Sequence, residues 1–66
     1  MEIMVNGERR DVAEGTTIEG LLRLLEIPAE RVAVELDRGI VKKGVWAGTV
    51  LGAGAEVEIV HFVGGG

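Results

Sequence analysis

The amino-acid sequence predicts an α+β domain in which a mixed four- to five-stranded sheet packs on one helix. Three observations lead there. Asn6-Gly7 sits between two strand-like runs, and both residues tolerate the positive φ of a tight hairpin turn. Between Ile18 and Leu25 apolar residues recur at helical spacing, and no second stretch does so. The later segments, Arg31 to Leu36 and Glu56 to Val63, return to strand patterns. One helix cannot cover both faces of such a sheet, so one face is packed and the other open.

Met1, Ile3 and Val5 alternate with Glu2, Met4 and Asn6, giving the first strand; Glu8 to Val12 returns as the second. Glu14-Gly15 breaks the run. Thr16-Thr17-Ile18-Glu19 then reads as a capping box, with Thr16 and Glu19 satisfying each other's backbone donors. Ile18, Leu21, Leu22 and Leu25 form one helix face, Gly20 permits close approach to the sheet, and Pro28 ends the helix near Glu26 or Ile27. Val32, Val34 and Leu36 share a face of the third strand, Asp37-Arg38-Gly39 turns, and Ile40-Val41 is a short strand. Lys42 to Thr49 is a loop with one helical turn, Val50-Leu51 a further short strand, Gly52-Ala53-Gly54 a turn, and Glu56 to Val63 the last strand. Parallel pairing of the first and last strands closes a mixed sheet across the helix, which is the β-grasp (ubiquitin-like) arrangement. Residues 1–63 are read as this domain and residues 64–66 as a flexible C-terminal glycine tail.

Sixty-six residues leave little room to enclose an active site, so the chain is not expected to be an enzyme. Cysteine is absent, which removes disulfides, thiolate metal sites and a cysteine nucleophile. The formal net charge of −4 disfavours nucleic acid, whose binding is driven by Lys and Arg on phosphates. Without a signal peptide or an apolar run of bilayer length, the expectation is a cytoplasmic protein that does not engage membranes and is monomeric when free.

The informative feature is the ending, His61-Phe62-Val63-Gly64-Gly65-Gly66. Glycine offers only backbone and, at Gly66, a carboxylate. Such a tail threads a slot where any Cβ would clash, and it costs entropy to order. It is read as a carboxylate on a stalk offered to another protein's active site; the alternative is an inert frayed terminus. Alternation turns Met4, Val60 and Phe62 outward onto the open face, which makes them the candidate docking residues. The remaining candidates are weaker. His61, the single histidine, lacks partners for a metal site, and none is expected. Glu56 and Glu58 read as a solvated face that discourages edge pairing, Lys42-Lys43 as a solvated loop, and Trp46 as a lid on the edge of the core.

These residues resemble a known family. Ile3-Met4-Val5-Asn6-Gly7, Thr16-Thr17-Ile18-Glu19-Gly20-Leu21-Leu22, Val32-Ala33-Val34-Glu35-Leu36 with Ile40-Val41 and Trp46, and Glu56 through Gly66 are together similar to the ThiS family, the bacterial sulfur carriers of thiamine biosynthesis. Two turns depart from its pattern: Asp37-Arg38-Gly39 where Asn-Gly is common, and Gly54-Ala55 where Gly-Asp is common. The resemblance implies a protein co-substrate without catalytic residues of its own. Gly66 would be the modified residue, its carboxylate adenylated and then converted to a thiocarboxylate that donates sulfur for the thiazole of thiamine. Gly64 and Gly65 would thread the partner's active site. The implied partners are a ubiquitin-activating-like adenylyltransferase, thiazole synthase and a sulfur-relay protein.

The residues agree with that division of labour. A carboxylate is a poor electrophile, and attaching AMP creates a leaving group. The ATP phosphates then need donors and a metal ion. Gly52-Ala53-Gly54 lacks the Lys and Ser/Thr of a phosphate loop, so no cofactor is expected on this chain and ATP and Mg²⁺ fall to the partner. Related carriers remain open, among them the small subunit of molybdopterin synthase and carriers for cysteine or thionucleoside synthesis. So do a ubiquitin-like protein modifier and a plain β-grasp interaction module.

Overall fold

A computed structural model describes residues 1–63. The sheet has five strands: β1 (Glu2–Val5), β2 (Glu8–Asp11), β3 (Val32–Leu36), β4 (Gly39–Val41) and β5 (Glu56–His61). Their order is β2-β1-β5-β3-β4. β1 and β5 run parallel, and the other neighbours are antiparallel. One helix, α1 (Ile18–Leu24), lies on one face, with short 3₁₀ turns at Ala29–Arg31 and Lys43–Gly48. This is the expected β-grasp topology, closed by the parallel pair of first and last strands.

The period of two in the strands puts Ile3, Val5, Val34, Val57 and Ile59 on the helix side, where all are buried against Ile18, Leu21 and Leu22 of α1. Leu36 and Leu25 are only partly buried at the rim. Trp46 closes one end of this core; it is 4% exposed and donates its indole N–H to the carbonyl of Val41 at 2.7 Å. A buried indole needs such an acceptor, and the edge strand β4 provides it.

The β1–β2 turn has Asn6 at φ 50° and Gly7 at φ 82°, the two left-handed residues of a type I′ hairpin. The β3–β4 turn repeats that geometry on Asp37 (φ 49°) and Arg38 (φ 71°), so the glycine that follows, Gly39, is not the residue that bends the chain. The helix start lies one residue later than the capping box implies. Thr17 is the N-cap, accepting the N–H of Gly20 at 3.0 Å, whereas the Thr16 hydroxyl donates to the carbonyl of Ala13 at 2.6 Å. A Cβ on Gly20 would meet the Thr17 hydroxyl oxygen at 3.3 Å and no atom of the sheet, so this glycine makes room for the cap. Pro28 is not what stops α1. Glu26 adopts φ 59°, with the N–H of Ile27 bonded to Leu22 O at 2.9 Å and that of Glu26 to Arg23 O at 3.1 Å. That is a Schellman motif. Val50-Leu51 does not join the sheet. Val50 forms an isolated bridge with Thr17, and Leu51 donates to Thr16 O at 2.9 Å, tying this segment to the helix entry. Glu56 and Glu58 sit on the central strand and not on an outer edge of the sheet, so they keep the open face wet.

Candidate functional site

The candidate site is the open face of the sheet at the end of β5, where the chain leaves the fold. Register places the outward side chains in rows. Met4 stands opposite Arg9 of β2 and Glu56 of β5. Glu58 stands opposite Glu35, which in turn faces Ile40. Val60 stands opposite Ala33. Phe62 follows, held by its N–H on the carbonyl of Arg31 at 2.8 Å.

Val60 and Phe62 are 52% and 60% exposed, so both are available for docking. Phe62 borders a shallow hollow of about 320 Å³ together with Ala33, Ile40, Trp46, Lys42 and Lys43. Met4 does not belong to this cluster. It is half-buried and borders a separate hollow with Gly7, Glu56 and Glu58. The register sets it about 13 Å back along β5 from Val60 at the usual rise per residue. The face therefore divides in two. One end is acidic around Glu56, Glu58 and Glu35. The other is apolar around Val60, Phe62, Ala33 and Ile40, with Lys42 and Lys43 at its rim. Glu35 and Glu58 lie directly opposite each other, an arrangement that destabilises an isolated sheet. Gly64, Gly65 and Gly66, the stalk and its proposed reactive end, lie outside the described residues.

Ile40 is the apolar residue that the sequence reading left out. At 79% exposure it is among the most exposed large apolar side chains of the domain. Its position opposite Glu35 was available once the turn was placed at Asp37-Arg38. Two polar side chains were likewise read only as turn formers. Asn6 reaches β5, where its Oδ1 accepts the N–H of Ile59 at 2.7 Å and its Nδ2 donates to Ile59 O at 3.3 Å. Asp37 Oδ1 accepts the N–H of Glu56 at 3.0 Å, while the Asp37 N–H donates to Glu56 O at 2.8 Å. Each replaces a main-chain partner that β5 loses where a neighbouring strand turns away. Together they fix the strand that carries the site.

Among the described residues no group of three or more His, Cys, Asp or Glu is arranged to hold a metal ion, and no helix is long and apolar enough to cross a membrane.

Comparison with known proteins agrees with this architecture. The chain is 44% identical over 66 residues to a protein of Magnetococcus marinus named thiazole synthase, and it spans 20% of that protein's length. It is 30% identical to the uncharacterized protein ycf40 of Porphyra purpurea, of which it covers 93%. Its fold superposes on the crystal structure of a thiamine biosynthesis protein (ThiS) from Geobacter metallireducens with a TM-score of 0.87 and 35% identity, each chain covered completely. The ThiS family model matches residues 3–66, from the first strand through the glycine tail, and by that match the chain belongs to the ThiS family.

Proposed function

We propose that this protein is a sulfur carrier whose Gly66 carboxylate is adenylated by a partner adenylyltransferase, converted to a thiocarboxylate, and used to supply sulfur for the thiazole of thiamine. The observation that carries this reading is the family match, which includes Gly64-Gly65-Gly66. The thiamine assignment has support from the Geobacter metallireducens neighbour and from the relatives named thiazole synthase. Those relatives share this domain within a longer chain, which makes thiazole synthase the natural recipient of the sulfur.

The chemistry needs little from the carrier itself. A carboxylate oxygen of Gly66 attacks the α-phosphorus of ATP, forming the acyl-adenylate and releasing pyrophosphate. A sulfur nucleophile then attacks the acyl carbon, the C–S bond forms, and AMP leaves with the C–O bond electrons. With hydrosulfide as the donor, loss of its proton leaves the thiocarboxylate. ATP and Mg²⁺ are held by the adenylyltransferase. Where a persulfide relay delivers the sulfur, its outer sulfur attacks the acyl carbon and AMP leaves, giving an acyl disulfide; a thiolate of the partner then attacks the relay's sulfur, forming a disulfide there and releasing the thiocarboxylate. The carrier contributes reach and fit: Gly64 and Gly65 thread the active site, while Val60 and Phe62 dock the body, with Met4 as an outlying contact.

The test is the intact mass of the chain after incubation with ATP, sulfide and the adenylyltransferase. The expected gain is the mass difference between sulfur and oxygen. No gain with an adenylyltransferase proven active on another carrier overturns the reading.

A further inference from the structure

The backbone hydrogen bonds of β5 can be followed residue by residue, and one break appears. Ala55 O accepts from Met4 N, and Val57 O accepts from Asn6 N, each at 2.8 Å. Glu56 is satisfied by Asp37 through both main chain and side chain. Glu58 and Val60 face Glu35 and Ala33 in the antiparallel ladder with β3. Ile59, which has passed the end of β1, receives both of its bonds from the Asn6 side chain. Phe62 N–H goes to Arg31 O.

His61 breaks the series. Because Phe62 bonds to Arg31, His61 lies opposite Val32 at a position whose N–H and C=O point away from β3, toward the side that β1 has vacated. That register gives neither group a partner in β3, neither bonds to a loop or side chain among the described residues, and the residue is exposed. Bare strand edges invite pairing, and folds normally cover them. Here side-chain clamps cover the strand's exposed groups at Glu56 and Ile59, and the cover stops at the last residue of β5, where the chain runs out toward its tail.

We propose that this notch, the bare strand edge at His61 just past the Asn6 clamp on Ile59, is a strand-addition site. Its occupant is an extended main-chain segment of the adenylyltransferase, pairing its own N–H and C=O with those of His61. The pairing sets the direction in which residues beyond Val63 enter the enzyme, and side-chain identity at position 61 contributes little. The partner named here rests on the carrier reading; the notch itself does not.

The test compares His61→Pro with His61→Ala. Proline removes the N–H and puts its ring at that edge, yet the N–H points away from β3 and meets no partner among the described residues, so the fold accepts it as edge strands do. Alanine removes the imidazole and keeps the N–H. The expected result is about tenfold or greater loss of adenylyltransferase affinity for His61→Pro, with affinity for His61→Ala within about twofold of the parent, by calorimetry. Should His61→Pro fail to fold, hydrogen exchange on the parent decides. The His61 amide exchanges freely in the isolated chain, unlike those of Ile59 and Phe62, and is slowed at least about tenfold in the complex. Equal affinity of the two variants, or no slowing in the complex, overturns the proposal while the mass gain at Gly66 still stands. Slowing that appears in the isolated chain and grows with its concentration overturns it in favour of a second copy of this chain in the notch. If the parent neither binds nor gains sulfur with an active enzyme, the carrier reading fails and the named occupant with it.

Discussion

Asn6 bends the chain and, with the same side chain, stands in for the peptide that β1 no longer offers to Ile59. The two roles separate by substitution. Glycine accepts φ 50° without strain, so if the turn were the whole role, Asn6→Gly would be nearly neutral. Loss of the clamp strips two hydrogen bonds from a strand in the middle of the sheet, at about 1 kcal/mol each. The expected cost is therefore about 2 kcal/mol, read as a fall in the urea midpoint with an unchanged slope. An Asn-Gly pair in sequence signals the turn because φ is a local matter. It is silent on Ile59, which lies 53 residues away. Phe62 makes the opposite case, since its 60% exposure means that truncation sacrifices little core. Phe62→Ala is expected to weaken adenylyltransferase binding by about tenfold or more while destabilising the fold by under about 1 kcal/mol, by calorimetry and denaturation respectively. Comparable losses in both would make Phe62 a packing residue.

At the scale of elements, the body of α1 was legible and its ends were not. Spacing alone identified Ile18, Leu21, Leu22 and Leu25 as the apolar stripe, of which the first three are buried and Leu25 is only partly so. The cap moved from Thr16 to Thr17 because Thr16 is engaged elsewhere: its hydroxyl holds Ala13 O and its carbonyl receives Leu51 N. That second bond comes from the Val50-Leu51 segment, which hydropathy marked as a strand and tertiary contact turned into a brace for the helix entry. At the far end, a charged residue holds the left-handed position of the Schellman motif, where glycine is the usual occupant. A left-handed residue with a Cβ costs roughly 1–2 kcal/mol, more than the roughly 0.5–1 kcal/mol of entropy that glycine adds to the unfolded chain. Glu26→Gly is therefore expected to stabilise the domain by about 0.5–1 kcal/mol and raise Tm by several degrees. The same change inside the helix, Arg23→Gly, lowers stability by about 1 kcal/mol, and a thermal melt of the two variants separates position from composition.

At the scale of the whole molecule, the fold encloses the strand that leads to the tail. β5 is flanked on both sides, by β1 and β3, and carries Val57 and Ile59 into the core on one face and Val60 onto the open surface on the other. A chain that unfolds to release β5 must break the β1 and β3 ladders together, so the exit point at Phe62 is fixed by the most restrained strand of the domain. Recognition by the body and reaction at the tail are then separable in the proposed carrier. A chain lacking Gly65 and Gly66 keeps every buried residue and every hydrogen bond described, and its stability is expected to match the parent within about 0.5 kcal/mol. It has no acyl group in place to be adenylated, so it shows no sulfur mass gain. It still presents Val60, Phe62 and the His61 edge, so it competes with the full chain for the adenylyltransferase and slows thiocarboxylate formation in proportion to its concentration. Rate measurements at rising amounts of the shortened chain check this. Undiminished rates at a large excess would place the binding energy in the tail and leave the folded body as a mere support for it.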